Sequence, residues 1–447
     1  VTDFDSVVRG STVVLPDGPQ RLDIGITDGV IAALAPELPG GRNEIDGSDL
    51  HVLPGAVDAH IHANDPGHAW EGADYATAGF AVGGTTTAIE MPLNASPPTV
   101  TLDGWKTKVA TWAGRAHVDY ALWGGIIPGN LAQLRSLAEA GVVGFKAFMV
   151  DAATDDFPGA DDATLFAGME VAAACGLPVA VHAENAAMIA AGLSGLAASE
   201  RTAADYLHSR SALAEREAVA RALLLAEAAG CALHIVHLST GRAVEMVREA
   251  RTRGQDVTCE TCAHYIALTD EDVGRIGTNA KCSPPIRDAG ERDALWEALA
   301  AGAVDMVTTD HAPGPADGKD GDFFTAWAGI VGGQLLAGVL VSEGHLVRGV
   351  SLEQLVTVMS STPADRFRIP GKGHIAVGAD ADLVLFDLGV ERTVTPGEIL
   401  HRHPEQSPYV GMSLRGRPVR TLLRGMTIAL DGAIAGPPCG RLLRPRA

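Results

Sequence analysis

The chain has 447 residues, 47% of them hydrophobic and 20% charged, with a formal net charge of -21. That length suits a large core and more than one domain. The acidic excess argues against a nucleic-acid partner, whose phosphates need clustered Lys and Arg, and no apolar run reaches the ~18 residues of a membrane span.

The start, Val1-Thr2-Asp3-Phe4-Asp5, has neither the basic beginning nor the apolar stretch of a signal peptide. Residues 1–50 then hold short alternating segments at 6–15, 21–27 and 30–35, with turn signals Asp17-Gly18 and Asp28-Gly29. From residue 51 the pattern changes to short apolar strands, each followed by a turn and an Ala/Leu/Glu-rich helical stretch. Strands are expected at 52–63, 85–92, 119–127, 144–149, 177–184, 232–239, 256–262 and 305–310. Clear helices are expected at 131–140, 162–175, 215–229 and 242–253, and Gly141, Gly176, Gly230 and Gly254 stand where helices should stop. Residues 375–447 return to the opening texture, with segments at 381–387, 419–423 and 426–430 and the turn Asp431-Gly432.

Eight buried strands alternating with helices predict an α/β fold, a (β/α)8 barrel of the TIM type over residues 51–374. A doubly wound sheet is the competitor, and the polar residues favour the barrel. His60, His62, Lys146, His182, His237 and Asp310 all fall at or near expected strand ends, the rim where barrels place their chemistry. The two chain ends, 1–50 and 375–447, are expected to pair into one small β-sandwich domain.

Asp58-Ala59-His60-Ile61-His62 is the strongest local signal, since residues two apart on a strand share a face and both imidazoles can reach one ion. Lys146 interrupts an otherwise apolar strand, Gly144-Phe145-Lys146-Ala147-Phe148. It has two readings. It is a snorkelling or ion-paired lysine, or it reacts with CO2 to become a carbamate, an anionic oxygen donor that can bridge two metals. His182, His237 and Asp310 end three further strands. Charge counting favours two divalent ions: they bring four positive charges, and a carbamate, the Asp310 carboxylate and a hydroxide remove three. Unmodified, Lys146 would only add positive charge. Cys259-Glu260-Thr261-Cys262 has redox or zinc spacing but no second ligand pair nearby, so its cysteines are read as structural. The six cysteines (these two with Cys175, Cys231, Cys282 and Cys439) form no disulfide framework, and a reducing cytoplasm is the expected compartment.

On these residues the chain resembles, over essentially its whole length, the cyclic-amidohydrolase branch of the amidohydrolase superfamily. That branch holds dihydroorotases, dihydropyrimidinases, hydantoinases and allantoinases. The resemblance implies that His60, His62 and Asp310 bind one ion, that His182 and His237 bind another, and that carbamylated Lys146 bridges them. Zinc is the first expectation, with iron, cobalt or manganese accepted by the same donors. His234 matches no ligand position and is read as structural.

Within the branch, His62-Ala63-Asn64-Asp65-Pro66-Gly67 with Trp70-Glu71-Gly72 is similar to the allantoinase pattern. So are Met91-Pro92-Leu93-Asn94, Lys281-Cys282-Ser283-Pro284-Pro285-Ile286-Arg287 and Ala326-Trp327-Ala328-Gly329. Asn64 stands where dihydroorotases usually carry Arg. The Tyr that dihydropyrimidinases and D-hydantoinases carry after the strand-four Lys is missing, and Ala328 replaces their Asn. Ala312 is dihydroorotase-like, and residues 120–131 are shared with L-hydantoinases. The implied activity is hydrolytic opening of allantoin to allantoate by a metal-bridging hydroxide. The alternative is a hydantoinase or dihydropyrimidinase acting on another cyclic imide, then a dihydroorotase or a non-catalytic homologue. The resemblance makes Asp310 the proton carrier, lets the Ser283 backbone fix the ring, sets Asn94 and Trp327 against the ureido chain, and leaves His264 and His311 to orient ligands. It implies a small cyclic ureide as binding partner and a homotetramer.

Overall fold

A parallel barrel and a mostly antiparallel sheet divide the chain in a computed structural model, which describes residues 4–446 except 69, 153, 195 and 197–200. The opening Val1-Thr2-Asp3 of the N-terminal reading lies outside the described residues. The barrel strands are Ala56–Ile61, Thr85–Glu90, Asp119–Leu122 (continued as Gly124–Gly125), Phe145–Phe148, Val179–His182, Leu233–Ile235, Val257–Cys262 and Met306–Thr308. They pair in parallel as two arcs that meet at Trp123, whose amide donates to the Glu90 carbonyl. The ring closes where Ile61 bridges His311 and the His62 amide donates to the His311 carbonyl at 2.7 Å. Asp58 reinforces that seam by accepting from the Thr309 amide and hydroxyl. The α/β barrel expected from the alternation of strands and helices is the observed fold.

Helices cover the outside, and their ends follow from local chemistry. Thr101, Asp161, Ser211 and Asp288 each accept an amide of the first turn, satisfying donors that the helix itself leaves free. Gly141 and Gly230 close two helices in the left-handed conformation.

Both chain ends contribute to one nine-stranded sheet. Val8, Val13, Ile24 and Ile31 from one end share an apolar core with Leu383, Leu385 and Leu422 from the other. At Asp28-Gly29 and Asp431-Gly432 both residues have positive φ, the type I′ geometry that joins paired strands tightly. Lys372 docks this sheet against the barrel: its buried ammonium lies 2.7 Å from Asp119 and 2.8 Å from both Asp380 and Asp382. The chain then returns to the third barrel strand, where the Tyr120 amide donates to Arg441 and the Leu443 amide to Tyr120.

One expected strand is corrected. Residues 52–63 form two strands in two sheets: His51–Pro54 pairs with Phe4–Leu15 and Leu383–Thr393, and only Ala56–Ile61 enters the barrel. The break is Gly55, whose amide donates to Asp382. A Cβ there would lie 2.1 Å from Thr86 Oγ1 and 2.4 Å from its Cγ2. Gly55→Ala is therefore expected to destabilise the protein by about 1–3 kcal/mol, read as a lower thermal unfolding midpoint. An unchanged midpoint would mean that the junction is not closely packed.

Candidate metal centre

The parallel strands deliver their C-terminal ends to one mouth, and five of the six expected metal donors line a cavity there of about 450 Å3. His60 and His62 leave the first strand on the same face. Their Nε2 atoms lie 3.3 and 3.4 Å from Asp310 Oδ1, beyond the eighth strand. One donor atom from each of these three residues falls within 4.8 Å of the others. His182 and His237, from the fifth and sixth strands, form a second pair with His182 Nδ1 3.0 Å from His237 Nε2. The His60 and His237 rings, 5.4 Å apart, join the two groups. His237 and Asp310 have positive φ (39° and 43°), a conformation that costs energy for a non-glycine residue and here turns each side chain off its strand.

Lys146 does not line the cavity. It is fully buried on the fourth strand, with its Nζ 4.8 Å from the Phe148 ring centre, and that ring stacks on His182. Its charge acts on His60, His182 and His237, and Asp310 acts on it in turn. Nζ has no hydrogen-bond partner, and burial pulls the ammonium down to about 8. Burial also pulls His60, His182 and His237 below the usual imidazole range, towards the neutral form that binds a metal. Asp310 stays ionised well below the usual carboxylate range, because His60 first and then His62 outweigh the opposing effect of burial.

Two buried carboxylates fix the imidazoles from behind. Glu260 faces His60 Nδ1, leaving Nε2 for the cavity, and its other oxygen lies 3.1 Å from His234 Nε2. His234 thus holds Glu260 from the side away from His60 and does not line the cavity. Glu184 lies 2.7 Å from His182 Nε2 and accepts from Arg210 at 2.9 Å. Both carboxylates sit at about 2: burial opposes ionisation, and His60 or Arg210 respectively is the leading force that overcomes it. Carboxylate behind histidine is the arrangement that orients metal ligands. With Glu184 holding His182 Nε2, the Nδ1 lone pair points at a second ring nitrogen. A cation between them satisfies both, so the donor set fits a metal centre.

The three residues expected to meet substrate also line the cavity. Asn94 has a φ of 57°, Ser283 Oγ lies 2.6 Å from the Tyr206 hydroxyl, and the Trp327 indole donates to the Ala312 carbonyl. His264 is buried with neither ring nitrogen partnered, and its charge acts on Asp310. His311 is committed elsewhere, its Nδ1 accepting from the amides of Gly332 and Gly333 and its Nε2 3.6 Å from Glu71. Glu260, Glu184, Arg210 and Tyr206 went unassigned from sequence. The signal for the first was present: an acidic residue inside a buried strand, masked by the cysteines on either side.

Residues 51–428 match the model of the Amidohydrolase family. A relative from Rubrobacter xylanophilus, named an allantoinase, is 52% identical over 99% of this chain and 98% of its own length. Another so named, from Solibacter usitatus, is 47% identical over 99% and 97%. Among solved structures, the L-hydantoinase (dihydropyrimidinase) of Arthrobacter aurescens superposes with a TM-score of 0.96 at 36% identity, covering 99% of this chain and 100% of that one.

Glu260→Gln removes the charge behind His60 while keeping its shape. Metal affinity is expected to fall about 10- to 100-fold, measured by competition with a chromophoric chelator. Unchanged affinity would separate Glu260 from the metal centre.

Proposed function

The chain belongs to the amidohydrolase family, and from that premise we propose that it opens the hydantoin ring of allantoin by hydrolysis, giving allantoate. One observation carries the chemistry: His60, His62, His182, His237 and Asp310 converge from four barrel strands on one cavity, with the buried amine of Lys146 behind them. The full-length likeness to relatives named allantoinase carries the choice of substrate.

His60, His62 and Asp310 would hold one divalent cation and His182 with His237 a second. Zinc suits this nitrogen and oxygen set, as do iron, cobalt and manganese. When bound, such ions lower the pKa of water towards neutrality and polarise a scissile carbonyl. Lys146 would bridge them as a carbamate. With its amine pulled down to about 8, a far larger share of it is neutral near physiological pH than of an ordinary lysine, and the neutral amine is nucleophilic towards CO2. The new N–C bond forms from the lone pair of the neutral amine, one N–H proton is released to water, and an anionic carbamate takes the amine's place.

Asp310 carries the proton. Ionised and held against His60 and His62, it accepts a proton from the attacking water and delivers it to the ring nitrogen as the C–N bond breaks. The Ser283 main chain orients the ring, and Asn94 and Trp327 meet the ureido arm. Assembly as a homotetramer is read from the family resemblance. A reducing cytoplasm suits six free cysteines, four of them buried. Among the described residues no helix is long and apolar enough to cross a membrane.

A side-by-side ring-opening assay of allantoin, hydantoin, dihydrouracil and dihydroorotate tests the substrate, with allantoin expected to have the highest kcat/KM. Preference for another ring would replace the substrate assignment and leave the chemistry standing. Lys146→Ala is expected to abolish activity, with partial recovery in short carboxylic acids that take the carbamate's place. Full activity in that variant without added acid would refute the bridging role.

A further inference from the structure

Two lysines near the cavity do something the reaction above does not use. Lys281 and Lys319 are 5% and 8% exposed, and the hydrogen bonds their amino groups make among the described residues go to carbonyls. Their oxygen partners are main-chain carbonyls of one short loop. Lys319 Nζ donates to Trp327 at 3.0 Å and to Gly329 at 2.6 Å, and Lys281 Nζ donates to Ala326. A buried ammonium without a counter-ion is costly, and burial draws Lys319 down to about 7 and Lys281 to about 8. Such a cost is tolerated where the group fixes something.

What it fixes is a cavity wall. Residues 326–329 all line the cavity, with Ala328 between the pinned peptides. The remaining bonds lock the same loop to its surroundings: the Gly329 amide donates to the Lys281 carbonyl at 2.9 Å and the Trp327 amide to Gly318 at 2.6 Å. Lys281 leads directly into Cys282 and Ser283, which line the cavity too.

We propose that Lys281 and Lys319 are positioning residues for the ring substrate, their amino groups holding the 326–329 main chain rigid against the site. The inference rests on the ring-opening reading. A small uncharged ureide offers no charge for capture, so its binding depends on walls already held in place, which spare it the cost of ordering a loop on binding. Lysine suits this task because one flexible amino group can donate to more than one carbonyl oxygen, as Lys319 does to Trp327 and Gly329.

Lys319→Met and Lys281→Met, prepared with metal, test the proposal. Both are expected to raise KM for allantoin about tenfold or more with kcat changed far less, with metal content at the wild-type level by elemental analysis. Amides 325–329 should exchange hydrogen faster in both variants, with or without substrate. Lys281→Met carries the test alone should Lys319→Met fail to fold. Unchanged exchange in the loop, or an unchanged KM in a folded variant, overturns the inference. Faster loop exchange in a chain whose wild type opens no cyclic amide would instead reject the ring-opening reading and leave the pinning intact.

Discussion

Carboxylates buried behind histidines set the terms for everything at the mouth of this barrel. A neutral imidazole offers one donor and one lone pair, and its neighbours decide which nitrogen carries which. Glu260 and Glu184 make that choice for His60 and His182, occupying the rear nitrogen so that the front one faces the cavity. Neither carboxylate could stay ionised in a dry core unaided. Each needs a second partner, His234 in one case and Arg210 in the other. The visible donors are therefore the front row of a layered structure, and the closed parallel barrel is what brings such layers from separate strands to one point.

The same logic explains why Lys146 differs from the other buried lysines. Lys372 meets three carboxylates, Lys108 pairs with Glu90, and Lys319 donates to carbonyls. Each has oxygen to donate to. Lys146 has none: its Nζ lies over the Phe148 ring, and Asp310 and Glu260 act on it without a hydrogen bond. A primary amine in such a place is poorly solvated as a cation, which is why burial pulls it down to about 8.

Much of this was legible in the sequence because polar residues in apolar strands stand out. His60, His62, Lys146, His182, His237 and Asp310 break apolar runs, and alternation alone places them near strand ends. What stayed hidden depends on partners distant in the chain. The run at 52–63 looks like one strand because hydrophobicity does not say which sheet a residue joins, and only the contact of Gly55 with Thr86 divides it. Glu260 was obscured by the cysteines beside it, and Glu184 by the histidine two residues before. The carbonyl partners of Lys281 and Lys319 lie on a loop without regular structure, which no periodicity reports.

The return of the chain's last stretch to the third barrel strand bears on how the molecule is made. Tyr120 exchanges main-chain hydrogen bonds with Arg441 and Leu443, and Arg424 reaches the Asp119 carboxylate beside it. A strand near the first quarter of the polypeptide thus lacks its outer partners until more than three hundred further residues have been made. The border of that strand is therefore completed only after the last barrel strand, Met306–Thr308, has been made.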